Sequence, residues 1–235
     1  MDIHRLRIAW GRFSGWLAEH SPDDHAVLLP PATEEEIARI EEAHGFALHP
    51  ELKELLRLQG GTPWAVSSPG FGTFLPGGHR LCDAQQIIGA HEICLDFHED
   101  FPENWGDWWP EGAVVAHADR WVVFAEPNNG GMAFVDHAPG PTYGHVYEFG
   151  MGSGASDVTH WATSLTDLFN TLATAVETDT PFQGTHPVFL DFHRFDNPGF
   201  QHLIGKFILH WAYDLNALPP DADRTFRSVT AVPRE

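Results

Sequence analysis

Apolar side chains in the first twenty residues recur at alternating steps of three and four, Ile3, Leu6, Trp10, Phe13 and Leu17, which predicts a docked N-terminal helix with one buried stripe. Ser21-Pro22-Asp23-Asp24 should end it, because proline disfavours helix in the residue before it and Ser and Asp compete for backbone hydrogen bonds. A second helix is signalled by Thr33 and Glu36 at capping-box spacing, by Glu34, Glu35 and Glu36 on the positive end of the helix dipole, and by Gly45 as a left-handed stop. The three glutamates are thus explained as a helix-start device before any chemistry is invoked. Pro50 then suits a first helical position, Leu52, Leu55 and Leu56 make a stripe, and Gly60-Gly61 closes the second arm of a helical hairpin.

Residues 62–80 are rich in Gly and Pro and carry Phe71, Phe74 and Leu75, which predicts a short strand within a long loop. Asp83-Ala84-Gln85-Gln86 opens a further helix. From Gly112 the period changes. Ala113 to His117, Arg120 to Ala125, Met132 to Asp136 and His145 to Phe149 are short β-prone runs, and Asn128-Asn129-Gly130-Gly131 is a hairpin turn between two of them. Ser164 with Asp167 starts a helix that places Leu165, Leu168, Phe169, Leu172 and Val176 on one side. Beyond residue 178 the pattern restarts with the run Val188 to Phe192, and Asn197-Pro198 caps a last helix bearing Phe200, Leu203, Ile204, Phe207, Ile208, Trp211 and Leu215.

The fold class expected from this order is α+β, an antiparallel or mixed sheet flanked by helices, with an N-terminal helix and a C-terminal helical extension. The expected division is a main domain over residues 1–177, an extension over 178–220 packed on it, and a flexible tail over 221–235.

Composition sharpens this picture in one respect. The 235 residues are 43% hydrophobic and 12% aromatic, enough to build a core without disulfides or metal. Thirteen Lys and Arg face 33 Asp and Glu, a formal charge of −20. Residues 81–193 hold 17 acids and the single base Arg120, a net of −16 with histidines neutral. Such a surface repels nucleic acid and anionic lipid and favours a cationic partner, although acidity also serves solubility. Sixteen histidines make that field weaken on acidification. No stretch approaches the roughly 18 uninterrupted apolar residues of a membrane span, and the start lacks a signal-peptide pattern, so a cytoplasmic location is expected. Cys82 and Cys94, without CxxC spacing, read as buried thiols.

The segment Asp96 to Glu111 is the candidate partner-contact surface, with Asp100, Glu103, Asp107 and Glu111 supplying steering charge and Trp105 and Trp108 supplying anchors. The same tryptophans, with Trp109, would serve equally as caps on the core. Catalytic signals are thin. His91-Glu92 starts like a zinc-protease motif, but position 95 is Leu and the second ligand is missing. Gly150-Met151-Gly152-Ser153-Gly154 lacks the context of a phosphate loop or nucleophile elbow and reads as a connector. Asp191 and His193 with His186, His202 and His210 would form a metal or acid–base site only if the extension folds back.

The stretch from Leu28 to Gly61, LLPPATEEEIARIEEAHGFALHPELKELLRLQGG, resembles the Smi/Knr branch of the SUKH superfamily. Its signature falls on Pro31, Ala32, Thr33, Glu35, Glu36, Ile37, Glu41, Gly45, Leu48, Pro50, Leu52, Leu55, Gly60 and Gly61, with looser matches at Trp109-Pro110, Phe134-Val135-Asp136 and Pro139-Gly140-Pro141. The resemblance covers about residues 1–177 and leaves the C-terminal part without a counterpart. It implies a non-catalytic binding module, without cofactor or metal. In bacterial members it implies an immunity protein that neutralises a toxin, often a nuclease, and in fungal relatives cell-wall regulation. An acidic face is the complement that a basic toxin domain would need. A regulatory scaffold binding a cellular protein, and a hydrolase or metal enzyme built on the His-rich C-terminal region, stay open as alternatives. Oligomeric state is not legible.

Overall fold

The structure, a computed structural model, describes residues 3–63, 72–104, 113–127, 130–150, 158–191 and 207–212, with the side chains of 100–104, 189–191 and 207 set aside. Helix α1 (Ile3–His20) buries Leu6, Ala9, Trp10, Phe13, Trp16 and Leu17, the predicted stripe widened by Ala9 and Trp16, while Ile3 at its start is only half-buried. Ser21-Pro22 ends it but does not leave a loop. Pro22 opens a short helix α2 (Pro22–Ala26), because a missing N–H costs nothing in the first turn.

Helix α3 (Glu34–His44) has its capping box in place. The Glu36 amide donates to Thr33 Oγ1, and the Glu36 carboxylate accepts from the Thr33 amide at 2.8 Å. Gly45 closes α3 in the left-handed region with φ 72°. Helix α4 (Pro50–Leu58) begins at Pro50 and buries Leu52, Leu55 and Leu56. The chain after it returns beside residues 29–32, where Leu29 N donates to Gly61 O (2.9 Å) and Ala32 N to Leu56 O (2.8 Å). A Cβ at Gly60 would lie 2.3 Å from Pro30 O, so the close approach of these two backbones requires glycine.

The short strand expected within 62–80 forms at the end of that stretch. Leu75 makes only a bridge to His79, and strand β1 is His79–Leu81. Phe71 lies outside the described residues. Helix α5 (Ala84–Asn104) starts where Asp83 and Gln86 exchange bonds, Gln86 N to Asp83 Oδ1 (2.9 Å) and Asp83 N to Gln86 Oε1 (2.7 Å). The run at 113–117 is not a strand. Val114–Arg120 forms 3-10 turns, and its Val115 and Ala118 are buried.

Strands β2 (Trp121–Pro127), β3 (Met132–Asp136), β4 (Val146–Phe149) and β5 (Val158–Ala162) follow as an antiparallel meander, in the order β1-β2-β3-β4-β5. Pairing β2 to β3 fits the predicted hairpin, although Asn128 and Asn129 lie outside the described residues. β5 was not predicted. Alternation gives the sheet two distinct faces. Val122, Val135 and Val146 are neighbours on one face, while Trp121 stacks on Phe134 (3.9 Å) and Phe134 on Tyr147 (5.7 Å) on the other. All five residues of β3 are buried, so both faces are covered. α5 covers the aromatic face, its Phe97 lying 5.2 Å from Phe149 and 6.0 Å from Trp121.

Helix α6 (Leu165–Thr178) is capped by Ser164, whose hydroxyl accepts from Asp167 N, and packs against α1 through Trp10–Phe169 (5.0 Å, edge-on) and Phe13–Phe169 (5.9 Å). Each such fully buried aromatic contributes about 1.5–3 kcal/mol over leaving it exposed.

The C-terminal extension departs from expectation. Where described it is a hairpin of strands, β6 (His186–Asp191) and β7 (Phe207–Ala212), paired antiparallel, so the predicted last helix is strand at Phe207, Ile208 and Trp211. Phe200, Leu203, Ile204 and Leu215 lie outside the described residues. β7 is clasped to the N-terminal flank. Leu209 N donates to Asp24 Oδ2 (2.8 Å) and Ser21 Oγ (3.1 Å), and Trp211 Nε1 donates to Phe74 O (2.9 Å). Asp24 also accepts from Gly72 N (3.0 Å), and burial pushes its carboxyl up to about 7 against the pull of these donors.

Candidate functional site

Helix α5 holds the start of the partner-contact segment expected from the sequence. Ile87, Ala90 and Cys94 are buried at steps of three and four, with Ile88 and Phe97 half-buried beside them. That stripe fixes the helix against the sheet. The opposite side exposes Glu92, Ile93, Leu95, Asp96 and Glu99. Glu92, Asp96 and Glu99 are spaced by four and three, so they share one side of the helix. Ile93 is 46% and Leu95 39% exposed, two of the four large hydrophobic residues exposed among the described residues. The outward side therefore carries a stripe of carboxylates with one uncovered aliphatic side chain on each flank.

Asp100 and Glu103 belong to the last turns of α5, and Glu103 continues the 92–96–99 spacing. Trp105, Asp107, Trp108 and Glu111 lie outside the described residues, as does Trp109. Beside the helix, Asp119 reaches His98 Nδ1 (3.5 Å) and Arg120 Nε (3.2 Å). The one arginine of the acidic region is therefore engaged with a carboxylate, and its guanidinium lies over the Phe46 ring, 5.1 Å from the centroid. The spacing of Glu92 and Asp96 was visible in the sequence; that Ile93 and Leu95 face outward was not.

The inward side of α5 holds a second cluster. His91 stacks on His44 of α3, ring centroids 4.0 Å apart at 26°, and both are almost completely buried. The Phe46 ring bridges His44 (5.6 Å) to His137 (5.4 Å), and the His49 amide donates to His137 Nε2 at 2.7 Å. Because His137 Nε2 accepts, its proton sits on Nδ1, which donates to Val135 O (2.9 Å). His44 likewise donates from Nδ1 to Ile40 O (2.8 Å), leaving a bare Nε2 lone pair in the interior. Burial pushes His44 and His137 down to about 4, with neighbouring imidazoles adding to the effect, and holds His91 and His49 below the ordinary histidine range.

The residues of the Thr33 to Gly60 signature play structural parts. Thr33 and Glu36 cap α3, Ile37 is buried, Gly45 stops α3, and Pro50 starts α4. Pro31 and Gly60 line a cleft of about 480 Å³ between residues 29–32, α3 and the start of α5. Of the His-rich C-terminal residues, His186 and His210 sit on the paired strands β6 and β7. His193 and His202 lie outside the described residues, and the side chain of Asp191 is not described. Among the described residues no three His, Cys, Asp or Glu side chains are grouped to hold a metal. Cys82 and Cys94 are buried thiols, the latter pushed up to about 12 by burial. The connector after Gly150 lies between the antiparallel strands β4 and β5, with residues 151–157 outside the described set. No described helix is long and apolar enough to cross a membrane.

A search of curated proteins finds no match to the chain. A family model described as the SMI1 / KNR4 family (SUKH-1) matches residues 31–171, which takes in α3 to the middle of α6 and leaves α1, α2 and the β6–β7 hairpin outside.

Proposed function

The chain belongs to the SMI1/KNR4 family (SUKH-1), and from that premise we propose that it is a non-catalytic protein-binding module, an immunity protein that occludes a cognate cationic toxin. The observation carrying this reading is the outward face of α5, where Glu92, Asp96 and Glu99 form an acidic stripe with exposed Ile93 on one flank and exposed Leu95 on the other, and no Lys or Arg lies anywhere on the helix. The acids speed the encounter with a basic surface, and the aliphatic pair supplies apolar area that is desolvated on contact. Asp100 and Glu103 extend the charge toward the C-terminal end of the helix, and Trp105, Asp107, Trp108 and Glu111 follow in sequence as further anchors and charges. A toxin that binds nucleic acid suits such a face, because carboxylates at helical spacing present the sign of charge that its own site attracts.

The test is recovery of a partner from extract of the native cell at low and moderate salt, with the wild-type chain and with Glu92→Gln/Asp96→Asn/Glu99→Gln in parallel. The reading expects a basic protein retained by the wild type, released by salt, and retained several-fold less by the variant. Equal retention by both chains, or a partner that is not basic, contradicts it.

A further inference from the structure

The imidazoles between α5 and the rest of the fold are disposed to respond to protons. His91 of α5 lies flat on His44 of α3, and beyond Phe46 the row continues to His137, after β3, and His49, at the start of α4. Every available position for a second proton is compromised. The ring nitrogen of His137 that would take it already accepts the His49 amide. His44 Nε2 and His91 Nδ1 are buried without a hydrogen-bond acceptor to receive an N–H. The charged groups around the row do not compensate evenly. Asp119 acts on His91 from the 3-10 turns but is also engaged by His98 and Arg120; Glu51 acts on His49 from α4; Arg120 adds a positive charge over Phe46, and Tyr143 closes the far end as a neutral ring against His49.

We propose that this row is a proton-operated latch: it holds α5 against α3 while the imidazoles are neutral, and protonation of His44 and His91 parts the two helices and unseats the docking face on the outer side of α5. The consequence for docking rests on the function proposed above; the parting of the helices does not. Two cations stacked at 4.0 Å in a buried seam repel each other with little solvent between them. The depressed basicity of His44, His91 and His137 sets the neutral state as the resting one near pH 7. α1 and α6 meet through the packed rings of Trp10, Phe13 and Phe169 and the exposed Arg12–Glu177 ion pair, none of which gains a proton as imidazoles do between pH 7.5 and 4.5, so they serve as the reference.

The test uses the full chain without a partner. Hydrogen exchange, corrected for the intrinsic pH dependence, is followed between pH 7.5 and 4.5 alongside NMR titration of the His44 and His91 ring protons. We expect the α3 and α5 amides to lose protection by about tenfold or more relative to those of α6, in step with ring protonation. His44→Phe/His91→Phe, which keeps two stacked rings and removes the protons, should flatten that loss. Rings that titrate while α3 and α5 keep their protection, read in the wild-type chain, would overturn the latch, as would a loss of protection that is undiminished in His44→Phe/His91→Phe. Cross-linking from position 93 at pH 7.5 reports separately on docking. A flat exchange profile with a cross-linked basic partner sinks the latch alone, and a pH-dependent profile without one sinks the function alone.

Discussion

At the scale of single residues, the sequence signature turns out to mark where backbone must be shaped. Thr33 and Gly60 make two different demands. Thr33→Ala removes the acceptor for the Glu36 amide and the hydroxyl donor to the Glu36 carboxylate, which keeps the backbone amide of residue 33, and should lower stability by about 1 kcal/mol in equilibrium unfolding. Gly60→Ala puts a methyl group against Pro30 O and should lower it by more, about 2 kcal/mol or above, because the obstacle is backbone and the Leu29–Gly61 pairing beside it must shift. Titration follows the same logic with the sign fixed by burial. His44, His79 and His137 are each pushed from 6.5 to about 4, so their contribution is complete above pH 6.5 and is lost as pH falls toward 4. Asp24 runs the other way. With its carboxyl raised from 3.8 to about 7, its contribution is complete below 3.8 and is lost as pH rises through 7. Three imidazoles outweigh one carboxyl, so a net loss of stability, of order several kcal/mol, is expected between pH 6.5 and 4. Urea unfolding at stepped pH checks it, and a flat profile would mean that these imidazoles are not buried as the structure has them.

At the scale of elements, what was legible is what local chemistry decides. Caps and periods were sufficient for α1, α3, α4, the start of α5, α6 and the pairing of β2 to β4, because Thr33, Asp83 and Ser164 each complete a hydrogen bond within a few residues. The misreadings share one cause, a decision made by distant backbone. Phe207, Ile208 and Trp211 fit a helical stripe, yet β6 supplies a ladder across the register Val188–His210, and Asp24 takes the Leu209 amide on the outer edge. β-branched residues at 114–117 suggested a strand, but Val115 and Ala118 reach the core through 3-10 turns instead. The histidine row was hidden differently: His44 follows Ile40 by four and His91 follows Ile87 by four, so each lies on its helix's buried stripe, but nothing local shows that they meet. Asp24→Ala tests the clasp. It leaves the Leu209 and Gly72 amides without their shared acceptor, so the hairpin should become susceptible to limited proteolysis while α1–α6 packing persists, at a cost of about 2–3 kcal/mol. On α5, Glu92→Gln/Asp96→Asn/Glu99→Gln should slow partner association and flatten its salt dependence with thermal stability nearly unchanged, and the same is expected of Asp100, Glu103, Asp107 and Glu111 changed to Asn or Gln. Stopped-flow association across a salt series distinguishes this from a change in packing. Cutting Ile93 and Leu95 to Ser should instead raise dissociation and leave the salt slope in place.

At the scale of the whole molecule, the family fold and its flanks form one arrangement with the acid-rich side outward. The matched region, residues 31–171, is flanked by α1, which packs on α6, and by β7, which is bonded to α2; α1, α2 and β7 lie outside the match. A formal charge of −20 gives the chain a field that repels a second copy of the same face as well as any phosphate backbone. The proposed cationic partner suits that electrostatics, and on α5 exposed carboxylates lie beside exposed aliphatic side chains. The most direct measurement places a photo-activated cross-linker at position 93 on α5 and, as control, at position 8 on α1, where Ile8 is 51% exposed against 46% for Ile93, in the full chain within its native cell. The account predicts a discrete adduct with a basic protein from position 93 and none from position 8; adducts of the same kind from both positions, or from position 8 alone, would contradict it.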